Sequence, residues 1–212
     1  MLKHYTGKKI AQRMCLQTDL RKAFDSISWE YLEVALKTLN YLNLFISRAL
    51  SCVTSPWLSV LINGSPKGYF QRKKGLRQGD PLSPYLFVIC MEFFPRLLQT
   101  SLENDHFHPT CAELKLTHLF FVDDLLIFSK QDVSSIDVIM DCLEKFSKIS
   151  GLQVNKVKTE MFFGGVKTRI KSQILKKSGF VEGVMPFRYL GWQNLANLSR
   201  DFEPLLLTLC FK

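Results

Sequence analysis

No Cys-x-x-Cys pair occurs in this 212-residue chain; its six cysteines, Cys15, Cys52, Cys90, Cys111, Cys142 and Cys210, are scattered. Neither His106 nor His108 has a cysteine pair beside it, which excludes a zinc site of familiar spacing. Most of the cysteines stand among apolar residues, so they are expected to be buried and reduced, in a nuclear or cytoplasmic setting. A long apolar run is also missing. The longest, Leu86 to Phe94, is interrupted by Glu92 and bounded by Pro84 and Pro95, too short to span a bilayer. Met1 to Lys9 has no apolar core of the secretory kind, so an intracellular, non-membrane protein is expected. Repeats, low-complexity tracts and Gly/Ser/Pro linkers are lacking, and the length suits one sizeable core or at most two small domains. Acidic residues are scarce: 19 Asp plus Glu against 28 Lys plus Arg leave a net charge of +9. That excess favours a polyanionic partner, nucleic acid or an anionic membrane surface, while a role in solubility alone stays open.

What is present is a pair of adjacent aspartates, Asp123 and Asp124, between two apolar runs in His118-Leu-Phe-Phe-Val-Asp-Asp-Leu-Leu-Ile-Phe-Ser129. Both runs read as strands, which puts the carboxylates at the tip of a hairpin. Adjacent like charges are costly unless a cation binds them, and hard divalent ions prefer oxygen ligands. An ordinary polar turn is the plain alternative for such a pair.

Around it the chain alternates strands and helices. A strand spans 14–20, Ser28 suits a helix N-cap ahead of a stripe at Trp29, Leu32, Leu36 and Leu39, and a second helix runs from Asn43 to about Val53. Strands at 57–62 and 67–72 turn at Asn63-Gly64, the strongest short hairpin signal. A charged, glycine-punctuated loop, Arg72 to Asp80, leads to a helix from Ser83 to Leu102, and the Asp-Asp hairpin occupies 114–129. Ser134 is expected to cap the next helix with Asp137 in a capping box; its stripe is Ile136, Ile139, Leu143 and Phe146, and Gly151 closes it. Strands at 158–164 and 187–190 frame a helix at 168–178. The mixture predicts an α+β fold, an antiparallel sheet with helices packed on one face.

A third carboxylate, Asp19, ends the first strand. If that strand pairs beside the hairpin, three carboxylates meet at one sheet edge, a strong divalent-metal site. Two metals about 3.5–4 Å apart can hold both oxygens of an in-line phosphoryl displacement. Taken alone, Asp19 and Asp25 equally suit strand-end or turn positions. In Gly75-Leu-Arg-Gln-Gly-Asp-Pro-Leu-Ser-Pro-Tyr85 the glycines allow close backbone approach, and Gln78 offers a donor and an acceptor to a base or sugar. The helix that follows is placed to aim its N-terminal amides at phosphate. A loop of helix breakers is the alternative.

Leu20-Arg-Lys-Ala-Phe-Asp-Ser-Ile-Ser-Trp29, the Gly75 to Pro84 run, Phe121-Val-Asp-Asp124, Ser150-Gly-Leu-Gln-Val-Asn-Lys-Val-Lys-Thr159 and Phe187-Arg-Tyr-Leu-Gly191 follow the order found in reverse transcriptases. The chain resembles the non-LTR retrotransposon (LINE-type) branch, in particular plant elements, from about residue 5 to 206. The resemblance implies a palm domain performing RNA-directed DNA synthesis on an RNA template and DNA primer with dNTPs and two Mg²⁺ ions, Mn²⁺ being a substitute. Asp19, Asp123 and Asp124 match the catalytic carboxylates, and the Leu20 carbonyl matches a further metal ligand. Phe24 matches the aromatic gate against a 2′-hydroxyl, with a core role as its alternative. Gln78 and Gly79 match the nucleotide and template contact. Lys158 matches the lysine that protonates or neutralises pyrophosphate, with Lys156 close by. Tyr189, Leu190 and Gly191 match the primer grip. Arg72, Lys73, Lys74 and Arg77 are candidates for backbone or triphosphate contact, or a solvated charged face.

On this resemblance, residues 1–212 form one palm: a lead-in at 1–13, the palm core at 14–164, and a primer-grip region with a truncated end at 165–212. Fingers are expected to be incomplete and the thumb absent. Val122 stands where the family usually has Ala, and the stretch after Gly191 is shortened. A non-catalytic nucleic-acid-binding remnant and a translated relic without function are therefore the alternatives to an active polymerase domain.

Overall fold

Alternation along one central strand decides the layout. In the computed structural model, which describes residues 13–104, 117–121, 124–130, 132–164 and 168–184, strand β1 spans Arg13–Arg21. Its residues Met14, Leu16 and Leu20 are buried in the main hydrophobic cluster. Side chains alternate across a strand, so Gln17 and Asp19 point to the other face.

Chain order then adds α1 (Ala23–Ser26), α2 (Trp29–Thr38), α3 (Asn43–Thr54), β2 (Trp57–Ile62), β3 (Ser65–Gln71), α4 (Ser83–Met91) and α5 (Phe93–Asn104). There follow β4 (His118–Phe121), β5 (Asp124–Lys130), α6 (Val133–Ser150), β6 (Gln153–Val154), β7 (Glu160–Gly164), α7 (Thr168–Ser178) and β8 (Val181–Glu182). The main sheet runs β4-β5-β1-β7-β8, with β6 paired to the end of β1, and β2-β3 form a separate two-stranded sheet. All pairings are antiparallel except the short β7–β8 ladder. The α+β expectation therefore holds, with one parallel pair that the sequence pattern did not announce.

The helices carry the apolar partners of the sheet. Leu32 and Leu36 of α2, Phe87 of α4, Phe94 and Leu98 of α5, and Ile136, Ile139 and Phe146 of α6 are buried in the same cluster as Met14, Leu125, Ile127 and Met161. Within it Phe94 meets Phe146 edge-on at 5.4 Å, and Tyr31 meets both Phe93 and Phe146 edge-on. Such contacts add directional preference to area burial.

Several boundaries differ from the sequence reading. The expected helix from Ser83 to Leu102 is two helices broken at Glu92. Pro95 has no N–H to give the Met91 carbonyl four residues earlier, and one residue before that the Cys90 carbonyl accepts from the Tyr31 hydroxyl at 2.6 Å. The cap of α6 is Asp132, not Ser134: its carboxylate accepts from the Ser135 amide and the Ser134 hydroxyl. Asp137 is in no capping box and instead pairs with Lys177 of α7 at 2.6 Å. Strand β3 starts at Ser65, because the two-residue turn Asn63-Gly64 makes Ser65 face Ile62. Both turn residues have positive φ, 50° and 77°, as a type I′ turn requires. Ser28 does cap α2, accepting from the Tyr31 amide.

Among the described residues the thiols follow the expectation with one exception, and Cys111 and Cys210 lie outside them. Cys15, Cys90 and Cys142 are buried and unpaired, whereas Cys52 is exposed. Burial pushes the Cys90 thiol up to about 12, so it stays protonated at neutral pH. The expected strand at 187–190 lies outside the described residues.

Candidate functional site

Strand register builds the centre of the site. β1 pairs with β5 so that Asp19 lies directly opposite Asp124, and Gln17 opposite Leu126. Asp124 also pairs with Phe121 of β4. Both aspartates are partly exposed and share the sheet face turned away from Leu16, Leu125 and Ile127. Like charges facing each other across a ladder repel, and oxygen-rich pairs of this kind suit a hard divalent cation. The donor chemistry therefore fits the expected metal. Asp123 lies outside the described residues, and among those described no group of three metal-ligating side chains occurs.

A turn after α6 closes on the same strand end. The Asn155 amide donates to the Asp19 carbonyl at 2.8 Å, and the Asp19 amide donates to the Thr159 hydroxyl at 3.4 Å. Asn155 shapes this turn: its side-chain oxygen accepts from the Val157 amide, and its carbonyl accepts from the Lys158 and Thr159 amides. Lys158 thus has its backbone fixed beside the aspartate strand while its side chain is exposed, as is that of Lys156. Leu20 is buried with its backbone opposite Val154. The motif containing Asn155 and Thr159 was visible in the sequence, but their hydrogen bonds to Asp19 were not, since they join distant segments.

The chain leaves β1 through Lys22 in the left-handed conformation, φ 47°, which turns it into α1. Phe24 in this short helix stacks on Phe87 with ring centroids 4.7 Å apart. It is only partly buried, so one face packs on the core and part of the ring stays accessible.

The glycine loop docks on that turn. The Leu76 amide donates to the Phe24 carbonyl at 2.6 Å, the Gly75 amide to the Ile27 carbonyl at 2.7 Å, and the Trp29 indole N–H to the Gly75 carbonyl at 2.8 Å. At Gly75, φ is +87° and a Cβ would stand 2.6 Å from the Asp25 carbonyl oxygen, so only glycine fits. Gln78 and Gly79 lie on the exposed part of the loop.

Two expectations need correction here. At the start of α4 the Leu82 and Ser83 amides are already engaged, donating to the Asp80 carboxylate and carbonyl respectively, and Pro84 has no N–H to present. Arg72 is not a fully solvated cation: it donates to an Asp25 carboxylate oxygen at 2.5 Å and to the Leu76 carbonyl at 3.0 Å. Lys73, Lys74 and Arg77 are exposed. On β4, burial pushes His118 below its ordinary value, opposed by the Glu92 carboxylate, and its Nδ1 lies 2.8 Å from the Thr117 hydroxyl. Tyr189, Leu190 and Gly191 lie outside the described residues.

Comparisons with known proteins give the family of the chain. A family model described as reverse transcriptase (RNA-dependent DNA polymerase) matches residues 2–194, and the chain belongs to that family. It is 27% identical over 224 aligned positions to a retrovirus-related Pol polyprotein from a type-1 retrotransposable element R2 of Popillia japonica, covering 99% of this chain and 30% of that one. Its reverse-transcriptase domain is thus of the non-LTR retrotransposon type. An uncharacterized mitochondrial protein of Arabidopsis thaliana is 39% identical over 71 residues, 32% of this chain and 58% of that one. Among solved structures, telomerase from Candida albicans in complex with a fragment of telomeric RNA matches with a TM-score of 0.56 at 19% identity, over 74% of this chain and 27% of that one. The chain spans less than a third of the R2 polyprotein it matches. No helix among the described residues is long and apolar enough to cross a membrane.

Proposed function

We propose that this domain carries out RNA-directed DNA synthesis, transferring a nucleotide from a dNTP to a primer 3′-hydroxyl on an RNA template. The observation that carries the reading is the Asp19–Asp124 pair, two carboxylates opposed on one sheet face in a chain of the reverse-transcriptase family. In the reaction the 3′-oxygen loses its proton and bonds to the α-phosphorus. The bond from that phosphorus to the bridging oxygen breaks, and pyrophosphate leaves.

Asp19 and Asp124, with Asp123 and the Leu20 carbonyl, are the groups that would hold divalent ions, expected to be Mg²⁺. Bound there, the ions would supply charge neutralisation and Lewis acidity to the displacement. The protein's own part is positioning and electrostatics. Phe24 would bear on the nucleotide sugar, and Gln78 and Gly79 would meet the nucleotide and template. Lys158 would neutralise the leaving pyrophosphate, and Tyr189, Leu190 and Gly191 would hold the primer end. Lys73, Lys74 and Arg77 would meet phosphates, in keeping with the net charge of +9.

Primer extension on an RNA template with Mg²⁺ tests the reading. Asp19→Asn and Asp124→Asn are each expected to reduce extension roughly a thousandfold while primer–template binding persists. Extension unchanged in both variants would refute the assignment. A wild-type chain that binds primer–template with a salt-dependent affinity but never extends it would favour the binding remnant.

A further inference from the structure

The segment just after Asp19 holds the glycine loop by more than backbone contacts. Arg72 stands three residues before Gly75, and its guanidinium bridges two places: Asp25, the residue after Phe24, and the Leu76 carbonyl within the loop itself. Leu76 in turn donates to the Phe24 carbonyl, and Trp29 donates to Gly75. Phe24, Asp25, Arg72 and Leu76 thus form a closed ring of contacts, two of them from a planar guanidinium that fixes direction as well as distance. Neither Arg72 nor Asp25 is buried deeply enough for the pair to be a core device; their side chains are 32% and 37% exposed.

We infer that Arg72 and Asp25 are a positioning pair: their ion pair sets the register of the Gln78-Gly79 loop against the Phe24 turn, and so sets nucleotide affinity and sugar selection. The inference rests on the polymerase reading above for its substrate, but the latch itself is a feature of the fold. Neither residue touches the reacting atoms in this role. Breaking the pair leaves Asp19 and Asp124 in place and lets the loop shift on the turn. The loss therefore falls on nucleotide KM and on discrimination against ribonucleotides more than on kcat.

Single-nucleotide incorporation by the 212-residue chain on primer and RNA template tests this. Arg72→Ala and Asp25→Ala are each expected to raise the dNTP KM roughly tenfold with a smaller change in kcat, and to narrow the dNTP-over-rNTP preference. The exchanged pair, Arg72→Asp with Asp25→Arg, recovers part of the KM, since it restores the ion pair but not the donation to the Leu76 carbonyl. Unchanged KM in both single variants, with activity lost only in proportion to unfolded protein, overturns the inference. If the wild-type chain incorporates nothing, the polymerase reading fails separately, and the latch is read through Trp29. In a chain with Trp57→Phe and Trp192→Phe, adding Arg72→Ala is expected to shift Trp29 emission to longer wavelength and increase acrylamide quenching. Identical emission and quenching in the two chains would show that no latch exists.

Discussion

Two strand pairs among the described residues, β4–β5 and β2–β3, end in opposite surroundings. Both are antiparallel pairs of short strands, β4, β5 and β2 largely apolar and β3 mixed. In β5, Leu125, Leu126 and Ile127 are buried. In β2 and β3 every residue except the partly buried Leu58 is exposed, with Trp57 at 62% and Tyr69 at 73%. The difference comes from neighbours. β5 has β1 at its side and helices over Leu125 and Ile127, whereas β2–β3 is a sheet of two strands with no third among the described residues. Turn chemistry is enough to make a hairpin, but burial needs a surface that the hairpin does not itself encode.

Stability measurements can sharpen this contrast. The largest effect is expected in the packed region: Phe94→Ala removes a fully buried ring from between α5 and α6 and should cost about 3–5 kcal/mol in denaturant unfolding. Next comes a pair of turn glycines. Gly151→Ala meets both a positive φ and the Ser26 carbonyl oxygen at 2.6 Å, and should cost about 2 kcal/mol or more. Gly64→Ala in the β2–β3 turn has open space around it, so only the backbone penalty of about 1 kcal/mol is expected. The smallest effect belongs to Tyr69→Ser on the exposed hairpin, within about 0.5 kcal/mol. A Tyr69→Ser cost as large as that of Phe94→Ala would show that the hairpin is packed in solution, and the contrast would dissolve.

Local signals were legible where local chemistry decides the outcome. Asn63-Gly64 made the turn its sequence announces, Ser28 capped its helix, and the stripe of α6 went into the core. The α6 cap is ambiguous in the sequence because Asp132 and Ser134 are both good caps, and only the chain's path decides which oxygen reaches a free amide. The break between α4 and α5 was hidden because a proline at the third helical position is compatible with a helix start as well as a kink. β6 and β8 are two residues each, too short for periodicity to register. In the candidate site, Asp19, Asp124, Phe24 and the glycine loop stood out by type and order. Arg72–Asp25, Trp29–Gly75 and the Asn155 and Thr159 contacts to Asp19 did not, since nothing local distinguishes a paired arginine from a solvated one.

By itself the sequence determined most of the longer strands and helices, which motifs appear and in what order, and that the family is one of polymerases. Only the tertiary structure decided that Asp19 faces Asp124, that the Asn155 turn closes on that strand end, and that the glycine loop is held on the Phe24 turn. The physical reason is range. Propensity, caps and turns act over a few residues, whereas strand register and ion pairing join residues far apart, and folding the whole core is what fixes them.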